Sequence, residues 1–342
     1  MEASLGPSES LALNANPAPT FGTMRETATG SEMQLLTDDN ADVPPCPTTD
    51  TDPTLAPVPL ERRTFATSNY KRFYDGAQAP VFQHYLLAAV NTMLLLFAKR
   101  RNPALQQHEL ENDVNQFMAK IQADAFEDGT ALREDVGAVA EYLWTSAKTH
   151  AVVNYMQLCS VLNAVIRDDV SEEVGAAAIF FRGINTRRVT RVSKAAIDTS
   201  YPRNGETWRG GGFRTQHRAF FERMVGKKYR VPGFLATSGK RSVAAKFAFE
   251  AFEDDRAHPC VIWRITVDPR GELHPQYRVK HMTFVVKTLV AGEEEYLFAP
   301  YSVFTLVSTE WSANLSKPHE FTVRAAWDNK KEDEKLPLTP WY

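Results

Sequence analysis

The stretch EEEYLFAPYSVFTL, Glu293–Leu306, decides how this chain is read. It holds two β-rich runs, Glu295–Phe298 and Val303–Val307, and each reads as a strand. Three adjacent carboxylates stand at its entrance. They repel one another, and a solvated loop is the plain explanation. In an extended chain, however, side chains alternate, so Glu293 and Glu295 share one face and Glu294 points away. Two carboxylates on one face at a strand mouth form a pair suited to acid–base work or to stabilising a cation.

Working outward, further β-rich runs lie at Val261–Val267, Thr283–Lys287 and Phe321–Ala326. Tyr229–Leu235 reads as a strand, with Pro232 and Gly233 suggesting an edge or a bulge. Ala176–Phe181, AAAIFF, is a short apolar run read as a buried strand ending at Arg182 and Gly183. Arg209–Phe213, RGGGF, reads as a loop. Helices are expected at Arg214–Val225 and at Ser242–Phe252, the latter opened by Ser242.

The chain before this region is helical in pattern, over Thr67–Asp169. Leu86, Val90, Met93, Leu94 and Phe97 recur at i, i+3, i+4 spacing. Asn102-Pro103 breaks that helix. Leu105–Ala123, Glu134–Lys148 and Asn154–Arg167 follow as further helices. A helical front followed by mostly antiparallel strands is an α+β arrangement.

The 342 residues carry 39 Lys+Arg and 42 Asp+Glu, a net charge of -3, and 43% are hydrophobic. That composition excludes collagen, a coiled coil and full disorder. The charge is uneven. Residues 1–60 hold nine acidic residues, one basic residue (Arg25) and nine of the 20 prolines. They read as a disordered acidic tail on a body of about +5. That body charge is too small and dispersed to argue for nucleic acid.

Cys46, Cys159 and Cys260 are few and widely spaced, so neither a disulfide framework nor a zinc ribbon is indicated, and a reducing compartment is the simplest reading. The N-terminus has no secretory pattern. The most apolar stretch, Tyr85–Ala98, is 14 residues and shorter than the roughly 20 a membrane span needs. The expected setting is therefore cytoplasmic, away from membrane. GxGxxG, Walker A, HExxH and GxSxG motifs are absent, and the eight histidines show no metal-ligand spacing.

Three segments remain. Arg182 after AAAIFF can present a guanidinium fork to a phosphate, although an ordinary strand-end arginine is the commoner case. Thr237-Ser238, after Gly233-Phe234-Leu235-Ala236, places hydroxyls where a strand meets a turn. They can orient a carboxylate or a sugar hydroxyl, or simply cap the turn. Glu293 and Glu295 complete the set.

Arg on a first strand, Thr-Ser on a second and Glu-x-Glu on a later one resembles the arginine–serine–glutamate class of mono-ADP-ribosyltransferases over Asn154–Ala326. The helix with Asn163 and Arg167 before the first motif is similar too. So is Phe247 in the helix after Thr-Ser. Position 236 departs from the family's Ser-Thr-Ser, whose first serine helps hold the catalytic carboxylate. Here it is Ala236. Its loss lowers activity, shifts the role to Thr237 or Ser238, or marks an inactive homologue.

The resemblance implies a split β-sandwich of the ADP-ribosyltransferase fold with NAD as substrate and no metal. It implies residues 1–60 as tail, 61–170 as a helical segment packed on the catalytic region, 171–328 as that region, and 329–342 as a C-terminal tail ending on Trp341 and Tyr342. It places the chain among transferases of glycosyl or nucleotidyl groups acting on NAD or NADP. Arg182 would meet an NAD phosphate, Gly183 would let the backbone approach, and Thr237, Ser238 and Phe247 would line the nucleotide. Glu295 would stabilise the ribosyl cation and Glu293 would act on the acceptor. Glu-x-Glu implies protein arginine as acceptor, with the loop Thr288–Gly292 facing it. Arg209–Gly212 beside Trp208 is a second candidate lining loop, with a structural turn as the plainer alternative. NAD hydrolysis and a non-catalytic binding module are the competing readings.

Overall fold

The apolar face Leu86, Val90, Met93, Leu94 and Phe97 is fully buried in the computed structural model of the protein. The structure describes residues 63–76, 83–126, 136–190, 201–254, 259–286, 294–314 and 317–340. All lie in one compact unit, Val58–Tyr342. The expected acidic tail, Glu293, the loop Thr288–Gly292, Trp341 and Tyr342 fall outside the described residues.

The helices are α1 (Asn69–Gly76), α2 (Gln83–Arg101), α3 (Gln107–Phe126), α4 (Val136–Thr145), α5 (Leu158–Asp168) and α6 (Ser171–Ile184). The predicted helices at Leu105–Ala123, Glu134–Lys148 and Asn154–Arg167 correspond to α3, α4 and α5, with shifted ends. In the last case a short 3₁₀ turn at Ala151–Val153 precedes the helix.

One expectation is overturned. Ala176–Phe181 is not a strand but the middle of α6. A five- or six-residue apolar run fits a buried strand or a buried helix turn equally well. Here Val174, Ala177, Ala178 and Phe181 repeat at helical spacing and are buried. Glu172 and Glu173 in the first turn complement the helix dipole, and the alanines favour the helix intrinsically. Arg182 and Gly183 therefore sit in the last turn of a helix. A Cβ at Gly183 would lie 3.4 Å from Leu86 Cδ1 and 3.5 Å from Ala140 Cβ, so its small size serves helix packing.

The β region contains β1 (Glu206–Gly212), β2 (Lys228–Val231), β3 (Leu235–Ser238), β4 (Cys260–Thr266), β5 (Met282–Val285), β6 (Glu295–Phe298), β7 (Ser302–Glu310) and β8 (His319–Ala325). Two helices, α7 (Arg218–Met224) and α8 (Arg241–Asp254), lie between strands. RGGGF is thus a strand, not a loop. Glycine's low strand preference is overridden because α8 packs directly on β1. A Cβ at Gly210 would come within 1.7 Å of Ala244 O. Tyr229–Leu235 is two strands, since Pro232 has no N–H to donate to a ladder.

The strand order is β2-β7-β8-β4-β1-β3-β6-β5, antiparallel throughout except for the parallel β4–β8 pair. β1 and β3 meet at one pair only, Trp208 opposite Ser238. That junction divides the strands into a set of five and a set of three. Both sets contribute to a shared aromatic core, Trp263, Phe304 and Phe321 from one and Tyr296 and Phe298 from the other. The arrangement is a split β-sandwich behind a helical layer. The opposite face of the small set, with Val285 and Leu297, belongs to the helical core. Glu295 shares a face with Leu297 by alternation and so points at the helices.

Two predictions follow from this packing. Gly210→Ala will destabilise the protein by about 3 kcal/mol, because Ala244 O is helix backbone and cannot move aside. Gly211→Ala, with open space around its Cβ, will change stability by under about 0.5 kcal/mol in the same urea titration. The second concerns His281, buried and bonded to Ala326 O at 2.7 Å and Ser302 Oγ at 2.8 Å. Burial holds its pKa down to about 4 from 6.5. The unfolded chain takes up a proton near pH 6.5 that the folded chain refuses until about 4. Stability from this residue is complete above the first value and falls as pH drops towards the second, by up to roughly 3 kcal/mol. The urea midpoint will follow that fall, and His281→Gln will flatten it.

Candidate active site

Strand β6 begins with Glu295, whose side chain is 6% exposed. Its Cα stands opposite Ser238 on β3 and opposite Val285 on β5. A buried carboxylate needs hydrogen-bond donors. One comes from the helical layer, where Trp144 Nε1, in the last turn of α4, donates to Glu295 Oε1 at 2.9 Å. Cys159 on α5 also lies within the field of this carboxylate. Burial, followed by the Glu295 charge, raises its thiol pKa, so it stays protonated and is a poor nucleophile.

The register of β3 comes from its start. Phe234 N donates to Asn163 Oδ1 at 2.8 Å, and Asn163 Nδ2 donates to Phe234 O at 3.4 Å. The Phe234 ring packs edge-on to Trp144 and Phe181. Beyond this corner, alternation puts Ala236 and Ser238 on the Glu295 side and Thr237 on the other. Thr237 Oγ1 donates to Tyr296 O at 2.9 Å, which commits its hydroxyl to the β3–β6 pair. Ser238 Oγ accepts from Lys240 N at 3.0 Å and so caps the turn while facing the groove.

Glu294 turns away, as alternation predicts. Its carboxylate is 3.7 Å from Lys240 Nζ, and its carbonyl accepts from Gly239 N at 2.7 Å. These contacts extend the β3–β6 pairing beyond the strand ends, up to the position next to Glu293.

The arginine beside β3, the strand that faces this carboxylate, is not the expected one. Arg182 is in α6, whereas Arg209 is on β1 next to the β1–β3 junction. Arg209 Nη1 donates to Ala236 O at 2.9 Å. The partly exposed guanidinium is thereby held across the gap between the two strand sets. The sequence reading missed it because glycines after Arg209 suggested a loop. Of the three glycines, Gly210 was a usable signal, since it marks a close backbone approach. No feature of the sequence singled out Trp144.

Phe247, on α8, is 45% exposed and so is not a core residue. Among the described residues, no group of three or more His, Cys, Asp or Glu side chains converges as a metal site would require. No described helix is long and apolar enough to cross a membrane. A cavity of ≈ 550 Å³ lies near the far end of β6, lined by Arg230, Lys280, His281 and Tyr301 among others. It is lined by Ala299–Tyr301, past the C-terminal end of the strand that Glu295 begins.

The site thus combines a buried carboxylate held by a neutral donor, a hydroxyl on the facing strand and a guanidinium on the next strand. These are groups that can stabilise a developing cation and bind an anion.

No protein-family model matches the sequence, and no curated protein matches it. Solved structures with some likeness include the ADP-ribosyltransferase HopU1 of Pseudomonas syringae pv. Tomato DC3000. It is 14% identical with a TM-score of 0.39, covering 69% of this chain and 97% of that one. The ADP-ribosyltransferase Vis of Vibrio splendidus in complex with agmatine is 18% identical with a TM-score of 0.35, covering 59% and 90%. The C3 exoenzyme of Clostridium limosum is 17% identical with a TM-score of 0.35, covering 56% and 91%.

The contacts around β3 carry different loads. Asn163→Ala will cost about 2 kcal/mol, since it leaves the Phe234 N–H unpaired at a buried corner. Lys240→Ala breaks a pair that is 44% exposed on both sides and will change stability by under about 0.5 kcal/mol. Paired urea titrations check both.

Proposed function

We propose that the protein is an NAD-dependent mono-ADP-ribosyltransferase that transfers ADP-ribose to arginine side chains of acceptor proteins and releases nicotinamide. The observation that carries this reading is the carboxylate of Glu295, buried at the mouth of β6 and facing Ser238. Arg209 on β1 reaches Ala236 of β3, the strand that carries Ser238.

The phosphate-binding role belongs to Arg209 rather than Arg182, because a helix-borne Arg182 is not at a strand end. Gly183 loses its implied role with it. Arg209 is partly exposed, and its guanidinium fork is the group that meets a phosphate of NAD. Ser238 faces the ribose side, whereas Thr237 supports β3 from the opposite face. Phe247 is exposed enough to stack against nicotinamide.

The reaction breaks the bond between the ribose anomeric carbon and the nicotinamide nitrogen. The bonding electrons leave with nicotinamide, whose positive charge is cancelled, and cationic character develops on the ribose. Glu295 stabilises that charge and hydrogen-bonds a ribose hydroxyl. The acceptor guanidinium is protonated in water and nucleophilically weak. Glu293, sharing the face of Glu295 in an extended chain, aligns it and takes its proton as the nitrogen–carbon bond forms.

Purified protein with NAD and agmatine tests this reading. Nicotinamide release and agmatine labelling will both fall by at least about 100-fold in Glu295→Gln. Glu293→Gln will lose labelling and keep NAD hydrolysis. Arg209→Lys will lower kcat/KM for NAD by about 10-fold or more, and Arg182→Lys will leave it within about twofold. The opposite ranking of the two arginines would return the role to Arg182. Hydrolysis without labelling in the wild type would make the protein an NAD glycohydrolase. No nicotinamide release would leave a binding module, which Ala236 would then explain.

A further inference from the structure

We propose that Trp144 is a positioning residue for Glu295, fixing the carboxylate from the helical layer in place of the hydroxyl that position 236 lacks. The inference rests on the reading of Glu295 as the residue that stabilises the ribosyl cation.

Glu295 is buried, and its two oxygens offer about four acceptor sites. A side chain of that length also keeps several rotamers unless something holds it. On the facing strand, Ala236 shares its side but carries no donor, and Ser238, also on that side, has its Oγ engaged with Lys240 N in the turn. Thr237 faces away with its hydroxyl committed to Tyr296 O. Trp144 Nε1 supplies a bond to Oε1 at 2.9 Å.

The indole is itself held. Trp144 is 4% exposed, and its ring meets the Phe234 ring at a centroid distance of 4.9 Å and an angle of 61°. Phe234 is pinned in turn through both backbone groups by Asn163 of α5. The chain of contacts runs from helix to corner to indole to carboxylate. Each link is a packed or hydrogen-bonded pair.

The chemistry of the donor also matters. A lysine or arginine at this place would orient the carboxylate but neutralise it. An indole N–H is a neutral donor with no acceptor capacity, so it orients the group and leaves its full charge to the substrate. A buried tryptophan also needs an acceptor for its own N–H, so a purely structural role is the competing explanation.

Trp144→Phe separates the two. It keeps the aromatic packing against Phe234 and removes only the N–H. The expected result is a fall in kcat for nicotinamide release of about 10- to 100-fold, with KM for NAD within about twofold. Adding Ala236→Ser to Trp144→Phe will recover most of the loss. A kcat for Trp144→Phe within about twofold of wild type would overturn the proposal. So would a loss that Ala236→Ser leaves unchanged while the melting temperature has dropped, since that is the signature of damaged packing.

A second readout is independent of catalysis. The Trp144 indole resonance in a ¹H–¹⁵N spectrum, identified by its disappearance in Trp144→Phe, will move across the acid range and stay fixed in Glu295→Gln. Glu141, buried one turn earlier on α4, is a second carboxyl near the indole, and the Glu295→Gln comparison separates its contribution, while the Cys159 thiol stays protonated in this range. A resonance that titrates identically in both proteins would overturn the bond. Wild-type protein that releases no nicotinamide but shows the Glu295-dependent shift would refute the catalytic reading and leave the Trp144–Glu295 contact standing.

Discussion

Phe234 sits where three parts of the molecule must agree. Its ring lies edge-on to Trp144 of α4 and Phe181 of α6, and its backbone is bonded twice to Asn163 of α5. Pro232 and Gly233 just before it end β2 and let the chain pass from the five-strand set to the three-strand set. Because Phe234 is fixed, β3 enters the small set in one register. A slip of one residue would turn Ser238 away from Glu295 and bring Thr237 to the groove. The groove therefore depends on a buried aromatic corner more than on any single polar contact.

The same molecule uses cations to close its edges. Arg230 is 1% exposed, yet its guanidinium donates to Tyr301 O, Glu332 O and Asp333 O and lies over the Phe65 ring. Burial lowers its pKa, but guanidinium stays protonated, and backbone carbonyls replace the lost water. One side chain thus ties the β6–β7 turn and the C-terminal segment to β2. Thr339 N donates to Arg230 O, so that segment continues the ladder as a short parallel bridge. The segment expected as a C-terminal tail is in this way fastened along an edge strand, where it covers groups that would otherwise invite strand pairing.

Much of the fold was legible because its signals were long or strongly periodic. The α2 face needed only i, i+3, i+4 spacing over about three turns. EYLF and its continuation were dense in β-formers, and β6 begins at Glu295 as expected. The errors came from short segments where two environments favour the same residues. AAAIFF suits a buried strand, but its alanines and the preceding glutamates suit a helix better once α1, α2 and α4 are there to bury it. RGGGF looks like a loop until α8 is laid across it. In both cases the deciding contact is with an element far away in sequence.

The sequence by itself determined the order of the parts: helical front, then strands, with Thr-Ser on one β segment and Glu295 at the start of a later one. It also determined that Glu294 faces away from Glu295, because alternation along an extended chain is a local property. Tertiary structure decided which arginine stands beside β3, the strand facing the carboxylate, and what holds the carboxylate. Arg209 and Trp144 come from a strand and a helix whose positions are set only when the sheet splits and the helices cover its smaller half. A hydrogen bond between Trp144 and Glu295 spans 151 residues of chain. No local pattern encodes such a contact; it exists because the two side chains are buried against the same corner.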